Sequence, residues 1–132
     1  MIMFISVLVV VYLYKKRKRT LLSALNLARD ELSRIEDDFN LQNDPVKIIR
    51  SLSALLRRLC ISIYPRSETA SLTGKEWLEF LDRPFSSAHF TSEKGRILVE
   101  APYRQQVSNT EVEFLLNYSR DWIKMVSEQK EI

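Results

Sequence analysis

The stretch VVVYLYKKRKRTLL, residues 9–22, joins an unbroken apolar run to five consecutive cations, and its reading decides how the chain is organised. From Met1 to Tyr14 every residue is apolar or aromatic except Ser6, with no Pro, Gly or charge to interrupt the run. A secretory signal carries its cations ahead of the apolar region and a small-residue cleavage site behind it. Here the order is reversed, with Lys15, Lys16, Arg17, Lys18 and Arg19 following the apolar run. Cations in that position are retained on the cytoplasmic side while a short N-terminus is left outside. Tyr12 and Tyr14 fall where amphipathic rings favour the headgroup layer. The expectation is a single-pass anchor with a basic stop flank over residues 1–19, oriented N-out, followed by a cytoplasmic helical domain over residues 20–132.

Length is the difficulty with that anchor. As a helix, Met1 to Tyr14 reaches roughly 21 Å, against about 30 Å for a hydrocarbon core. Snorkelling lysines and local thinning recover several ångströms, and a natural start upstream of Met1 is the favoured way to close the gap. The competing readings are a buried core helix or an interfacial helix. An interfacial helix interleaves polar residues along one face, and this run offers only Ser6.

Charge narrows the function. The net charge is +3, from 20 basic and 17 acidic residues; without the five clustered cations, 15 basic residues face 17 acidic ones, a net of −2. A duplex-binding domain carries a distributed basic face, whereas this basicity is local, so nucleic acid is a minor reading. The single cysteine, Cys60, forbids an intramolecular disulfide and reads as a small buried hydrophobe.

Nothing obliges the first helix to stop at the cations, because no Pro precedes Pro45 and no Gly precedes Gly74. Leu21, Leu25, Ala28, Leu32, Ile35 and Phe39 recur every three or four residues and draw one apolar seam. Met1 to Phe39 as one helix would span roughly 58 Å; a break near Thr20 is the alternative. Asp44 before Pro45 signals the start of a second helix, running to about Tyr64. Its apolar positions include Ile49, Leu52, Leu56, Leu59, Cys60 and Ile63, while Lys47, Arg50, Arg57 and Arg58 gather on the other side. YPRSETAS reads as a polar connector. Thr73 and Glu76 match a capping box opening a third helix to about Asp82. Arg83 to Ser92 reads as loop. Ile97 to Val99 fits a strand or a helical turn, and with no partner strand in view the helix is chosen, closed by Pro102. Ser108 with Glu111 opens a last helix to about Glu128, with a broad apolar face. The fold class predicted is all-α: the anchor helix continuing into a small helical bundle.

The chemistry-bearing inventory is sparse. His89 is the only histidine, in the loop, with no cysteine nearby in sequence, and is read as a solvated side chain; no metal site or cofactor is predicted. The sequence TGK lacks the rest of a phosphate loop, and no serine sits in a nucleophile elbow. Adjacent carboxylates such as Asp37 and Asp38, or the pair Glu111 and Glu113, read as helix-surface charges. Three features suit binding instead. Lys15 to Arg19 set topology and attract anionic headgroups. The Lys47, Arg50, Arg57 and Arg58 stripe receives an acidic partner or is a solvated face. On the last helix, Leu115, Trp122 and Val126 are core, while Phe114, Tyr118 and Met125 form an edge that is a candidate partner site.

The motifs DPVKIIRSLSALLRRL, LTGKEWLEFLDR and GRILVEAPYR, in that order behind the apolar run and basic stop, resemble a bacterial inner-membrane family, domain-of-unknown-function family 4381. The likeness covers most of residues 1–126. It implies a place in the inner membrane and partnership with a MoxR-type AAA+ ATPase and von Willebrand factor A domain proteins, beside which the family's genes lie. It carries over no catalytic residue. Members have a Pro- and Trp-rich external segment ahead of the membrane helix that this chain lacks. Tyr103 and Arg104, beside Pro102, are read as able to recognise a carboxylate, with packing of Tyr103 on the bundle as the favoured role. The function expected is a non-catalytic, membrane-anchored adaptor. The alternatives are an enzyme with an unrecognised site or a binder of anionic lipid or nucleic acid.

Overall fold

A helix persists while each residue can donate and accept along the backbone, and the first 42 residues contain neither Pro nor Gly. In the computed structural model, α1 accordingly runs unbroken from Ile2 to Gln42, 41 residues and roughly 61 Å. There is no break at Thr20, whose hydroxyl donates to the Lys16 carbonyl at 3.0 Å within the helix. The structure describes residues 1–42, 44–104 and 106–130, the side chains of Gln42 and Lys130 excepted. Asn43, Gln105 and the last two residues of the expected domain lie outside the described residues.

The remaining elements are α2 (Pro45–Ile63), α3 (Arg66–Thr69), α4 (Gly74–Asp82), α5 (Ile97–Glu100), a 3-10 turn (Ala101–Tyr103) and α6 (Asn109–Lys130). Every regular element among the described residues is helical, so the chain is all-α. The choice of helix for Ile97 to Val99 holds, because Leu98, Val99 and Glu100 donate to Gly95, Arg96 and Arg96 carbonyls, a local pattern that needs no partner strand. Pro102 sits inside the 3-10 turn, and the chain becomes extended at Arg104. The YPRSETAS connector is not wholly irregular: it holds α3.

The helix starts differ in how they are capped. Asp44 accepts from the Lys47 N–H at 3.4 Å, with Pro45 in the first turn. Ser108 and Glu111 form a reciprocal box: the Glu111 N–H donates to the Ser108 hydroxyl at 3.2 Å and the Ser108 N–H to Glu111 Oε1 at 3.1 Å. The box expected at Thr73 and Glu76 does not form, since Thr73 makes no capping hydrogen bond. The chain enters α4 through Gly74 at φ +53 instead, a left-handed turn that a side chain would resist.

One core unites these helices. The α1 seam is buried from Leu25 through Ala28, Leu32 and Ile35 to Phe39. It packs on α2, which runs back along it, and on α6. Leu52, Leu56, Cys60, Trp77, Leu81, Phe90, Leu115 and Trp122 fill the centre. The seam of α1 is thus consumed inside the chain. The indole N–H groups of Trp77 and Trp122 are buried and find no hydrogen-bond partner among the described residues. Among the described residues, no helix is long and apolar enough to cross a membrane, so the spanning anchor expected over residues 1–19 is not supported. The apolar run ends at Tyr14, and the cations behind it interrupt it well short of a full hydrocarbon thickness.

Candidate functional site

The end of α1 stands outside the core. All residues from Met1 to Thr20 are exposed, and Met1 to Tyr14 carry thirteen large apolar side chains that are 43–99% exposed. Consecutive residues of a helix step about 100° around its axis, so this apolar surface goes all the way round. The five cations follow on the next turn and a half, and the bundle begins at Leu21, which is half-buried. Covering the apolar side chains would be worth on the order of 10–20 kcal/mol, comparable to the whole stability of a small domain.

The α2 cations do not act as one stripe. Lys47, Arg50, Arg57 and Arg58 occupy an arc of about 100° on α2, and neighbours take up both edges of it. Arg57 is half-buried: its Nη1 donates to the Leu72 carbonyl at 3.0 Å, and its guanidinium lies 4.5 Å from the centre of the Trp77 ring. It holds the entry to α4. On the opposite edge, Arg58 is ion-paired with Glu31 of α1. Arg50 is exposed on the arc between them, and Lys47 is exposed as well without being free of contacts.

Tyr103 and Arg104 diverge as well. Tyr103 is 91% exposed, so its favoured role as a packed residue is overturned; the 3-10 turn at Pro102 projects it away from the bundle. Arg104 turns back, and its Nη1 pairs with Glu111 Oε2 at 2.6 Å. Burial alone would raise the Glu111 carboxyl, but the Ser108 N–H, the Arg104 guanidinium and the Ser108 hydroxyl outweigh it and hold it below the ordinary value of 4.5. Glu111 is therefore a cap and an ion-pair partner as well as a surface charge.

The outer edge of α6 is partly covered. Phe114, Tyr118 and Met125 are half-buried. Lys94 sits 3.7 Å from the Phe114 ring, and His89 and Phe90 meet Tyr118 edge-on at 5.2 and 6.0 Å. His89 is not a solvated loop residue: it is half-buried and stacked on Phe85 at 3.9 Å. Its place is set by Asp82, a residue the sequence reading passed over. The Asp82 carboxylate accepts the backbone N–H of His89, Phe90 (2.7 Å) and Thr91 (3.0 Å) and the Thr91 hydroxyl. The only hint in the sequence is an Asp at a helix end followed by a loop holding a Thr, a pattern too common to single out.

Among the described residues, no cluster of three or more His, Cys, Asp or Glu could hold a metal ion. Cys60 is buried, and that burial pushes its thiol up to about 12 even though Arg57 acts in the other direction. The arrangement offers exposed apolar, cationic and aromatic surface.

A family model described as a domain of unknown function (DUF4381) matches residues 1–125. The chain belongs to that family. The DUF4381 match includes the exposed apolar end of α1 as well as the bundle, ending at Met125. No curated protein and no solved structure matches the chain.

Proposed function

We propose that this DUF4381 chain is a membrane-seated, non-catalytic adaptor. The observation that supports this most is the all-round exposure of the apolar side chains from Met1 to Tyr14, directly followed by five cations. A second helix would cover one stripe of such a surface, whereas lipid tails cover every face. In this reading the apolar end of α1 enters the bilayer, helped by local thinning and snorkelling lysines, and Lys15 to Arg19 lie among the headgroups. The bundle then hangs on the cation side, the cytoplasmic face of a bacterial inner membrane, and an N-terminus reaching the far side would lie outside.

The adaptor part rests on the family likeness and on the exposed Arg50 and Tyr103. An exposed Tyr beside a rigid turn is a typical anchor for a protein partner. The partners proposed are the MoxR-type AAA+ ATPase and von Willebrand factor A domain proteins implied by the resemblance.

The test is fractionation of bacteria making the full chain. Sedimentation with membranes, resistance to a high-salt wash, and release by Val10→Asp are expected; a charge in mid-segment costs about 2.5–3.5 kcal/mol of insertion free energy. A wild-type chain that stays in the supernatant would overturn the seating. Detergent-solubilised membranes should then yield those partners with the wild-type chain and less of them with Tyr103→Ala; equal recovery would remove Tyr103 from the interface.

A further inference from the structure

The buried seam of α1 has an open counterpart on the far side of the helix. At about 3.6 residues per turn, the 36 steps from Ile5 to Leu41 make ten whole turns, so the two side chains share one face. Leu8, Tyr12 and Leu27 fall on that face too, and all five are 59–82% exposed. Between Leu27 and Leu41 the same line carries Asp30, Arg34 and Asp37, also exposed. Both carboxylates are one turn from Arg34, yet among the described residues it forms no ion pair with either. The buried Leu25 and Leu32 lie half a turn away, on the side where α2 and α6 pack. The ion pairs Glu31–Arg58 and Glu36–Arg120 tie α1 to those helices at its flanks. The outer line is thus left uncovered over about 54 Å.

We propose that this face pairs two copies of the chain side by side and in parallel, each Arg34 lying between Asp30 and Asp37 of the other copy. This deepens the membrane-seated reading and rests on it, because two copies seated in one bilayer run in the same direction. Charge complementarity selects a second copy as the occupant. The order acidic, basic, acidic complements itself in register: each guanidinium meets a carboxylate of the other chain one turn above and one turn below. Length points the same way, since the apolar end reaches roughly 21 Å against about 30 Å of hydrocarbon, and a short span is relieved by association. The two bundles, each on the seam side of its own α1, then project in opposite directions without meeting. Lys16 and Arg19 also fall on the paired face. Their long stems carry the charges out to the headgroups, where anionic phosphates offset the repulsion between them.

The experiment uses the full chain in vesicles of phosphatidylcholine and phosphatidylglycerol. Under mild oxidation, Leu27→Cys and Leu41→Cys, each alone, should give disulfide-linked dimers, since pairing in register brings identical positions together. Asn40→Cys, one residue and about 100° away, should give about tenfold less. Cys60 is buried and does not compete. Energy transfer between chains carrying donor and acceptor fluorescent proteins at the C-terminus reads the affinity directly. Arg34→Asp should weaken self-pairing by about tenfold or more, because three carboxylates then face three. Mixing it with the double variant Asp30→Arg and Asp37→Arg should restore pairing between the two different chains, a result that a change in folding does not produce. Circular dichroism checks each variant's helix content. If Asn40→Cys cross-links as readily as Leu41→Cys, if Arg34→Asp pairs as well as wild type, or if mixing restores nothing, the paired face is refuted while the membrane seating stands. If the wild-type chain fails to associate with the vesicles, both readings fall.

Discussion

The Arg57 guanidinium lies 4.5 Å from the centre of the buried Trp77 ring, and its Nη1 donates to the Leu72 carbonyl at 3.0 Å. A cation that the sequence offers to a partner is therefore spent on fixing α4 to α2. Arg57→Ala should lower stability by about 1–3 kcal/mol, combining a partly desolvated cation–π contact with a charged hydrogen bond. Arg50→Ala, on the exposed part of the same arc, should stay within about 0.5 kcal/mol. Denaturant midpoints at constant slope decide between these outcomes; equal effects would mean that the Trp77 contact contributes nothing.

Asp82 holds the loop that covers the edge of α6, through three consecutive backbone N–H groups and the Thr91 hydroxyl. Asp82→Ala leaves those donors without their acceptor and should cost about 2–4 kcal/mol. Hydrogen exchange should report it first at the Phe90 and Thr91 amides. Gly95→Ala attacks the same loop by another route, because a Cβ there would fall 2.1 Å from the His89 carbonyl oxygen and 2.4 Å from the Phe90 Cα. Backbone must move to admit it, so a loss of about 1–3 kcal/mol is expected.

Glu111 makes the α6 cap pH-dependent. Its folded carboxyl titrates below the ordinary value of 4.5 because Ser108 and Arg104 outweigh the effect of burial. The ionised form therefore favours the fold. Its contribution is complete above the unfolded value and is lost as the pH falls through the lower, folded value. Glu111→Gln should flatten the stability profile in that acid window. Ser108→Ala should cost about 1 kcal/mol near neutrality. Thermal melts between pH 2 and pH 7 measure both, and parallel profiles for Glu111→Gln and wild type would contradict the cap's role.

Cys60 should be silent to thiol reagents in the native state. It is fully buried, and its thiol is pushed up to about 12, so little thiolate exists at pH 8 and none of it is accessible. Modification should proceed at the rate of opening and accelerate sharply across the denaturation midpoint. Rapid labelling of the folded chain would show that α2 separates from its neighbours far more readily than its packing implies.

Much of the secondary structure was legible along the chain because its causes are local. The absence of Pro and Gly, the three- and four-residue spacing from Leu21 to Phe39, Asp44 before Pro45, and Ser108 with Glu111 each act within one or two turns. Thr73 and Glu76 had the same spacing and did not form a box, since the left-handed Gly74 brings the chain into α4 differently. Less of the candidate site could be read. Arg57 and Arg58 are adjacent in sequence and look alike there, yet one meets Trp77 of α4 and the other Glu31 of α1.

The sequence by itself determined that the chain is helical, that one apolar end is followed by a block of positive charge, and that a bundle comes after it. Tertiary structure alone decided which side chains remain available: Tyr103 is turned outward by the 3-10 turn, Arg104 is drawn back to Glu111, and His89 is laid on Phe85 beneath the hold of Asp82. Helix formation depends on neighbours a few residues away. The fate of a surface charge or ring depends on which distant element packs beside it, and that is fixed only when the helices close on one another.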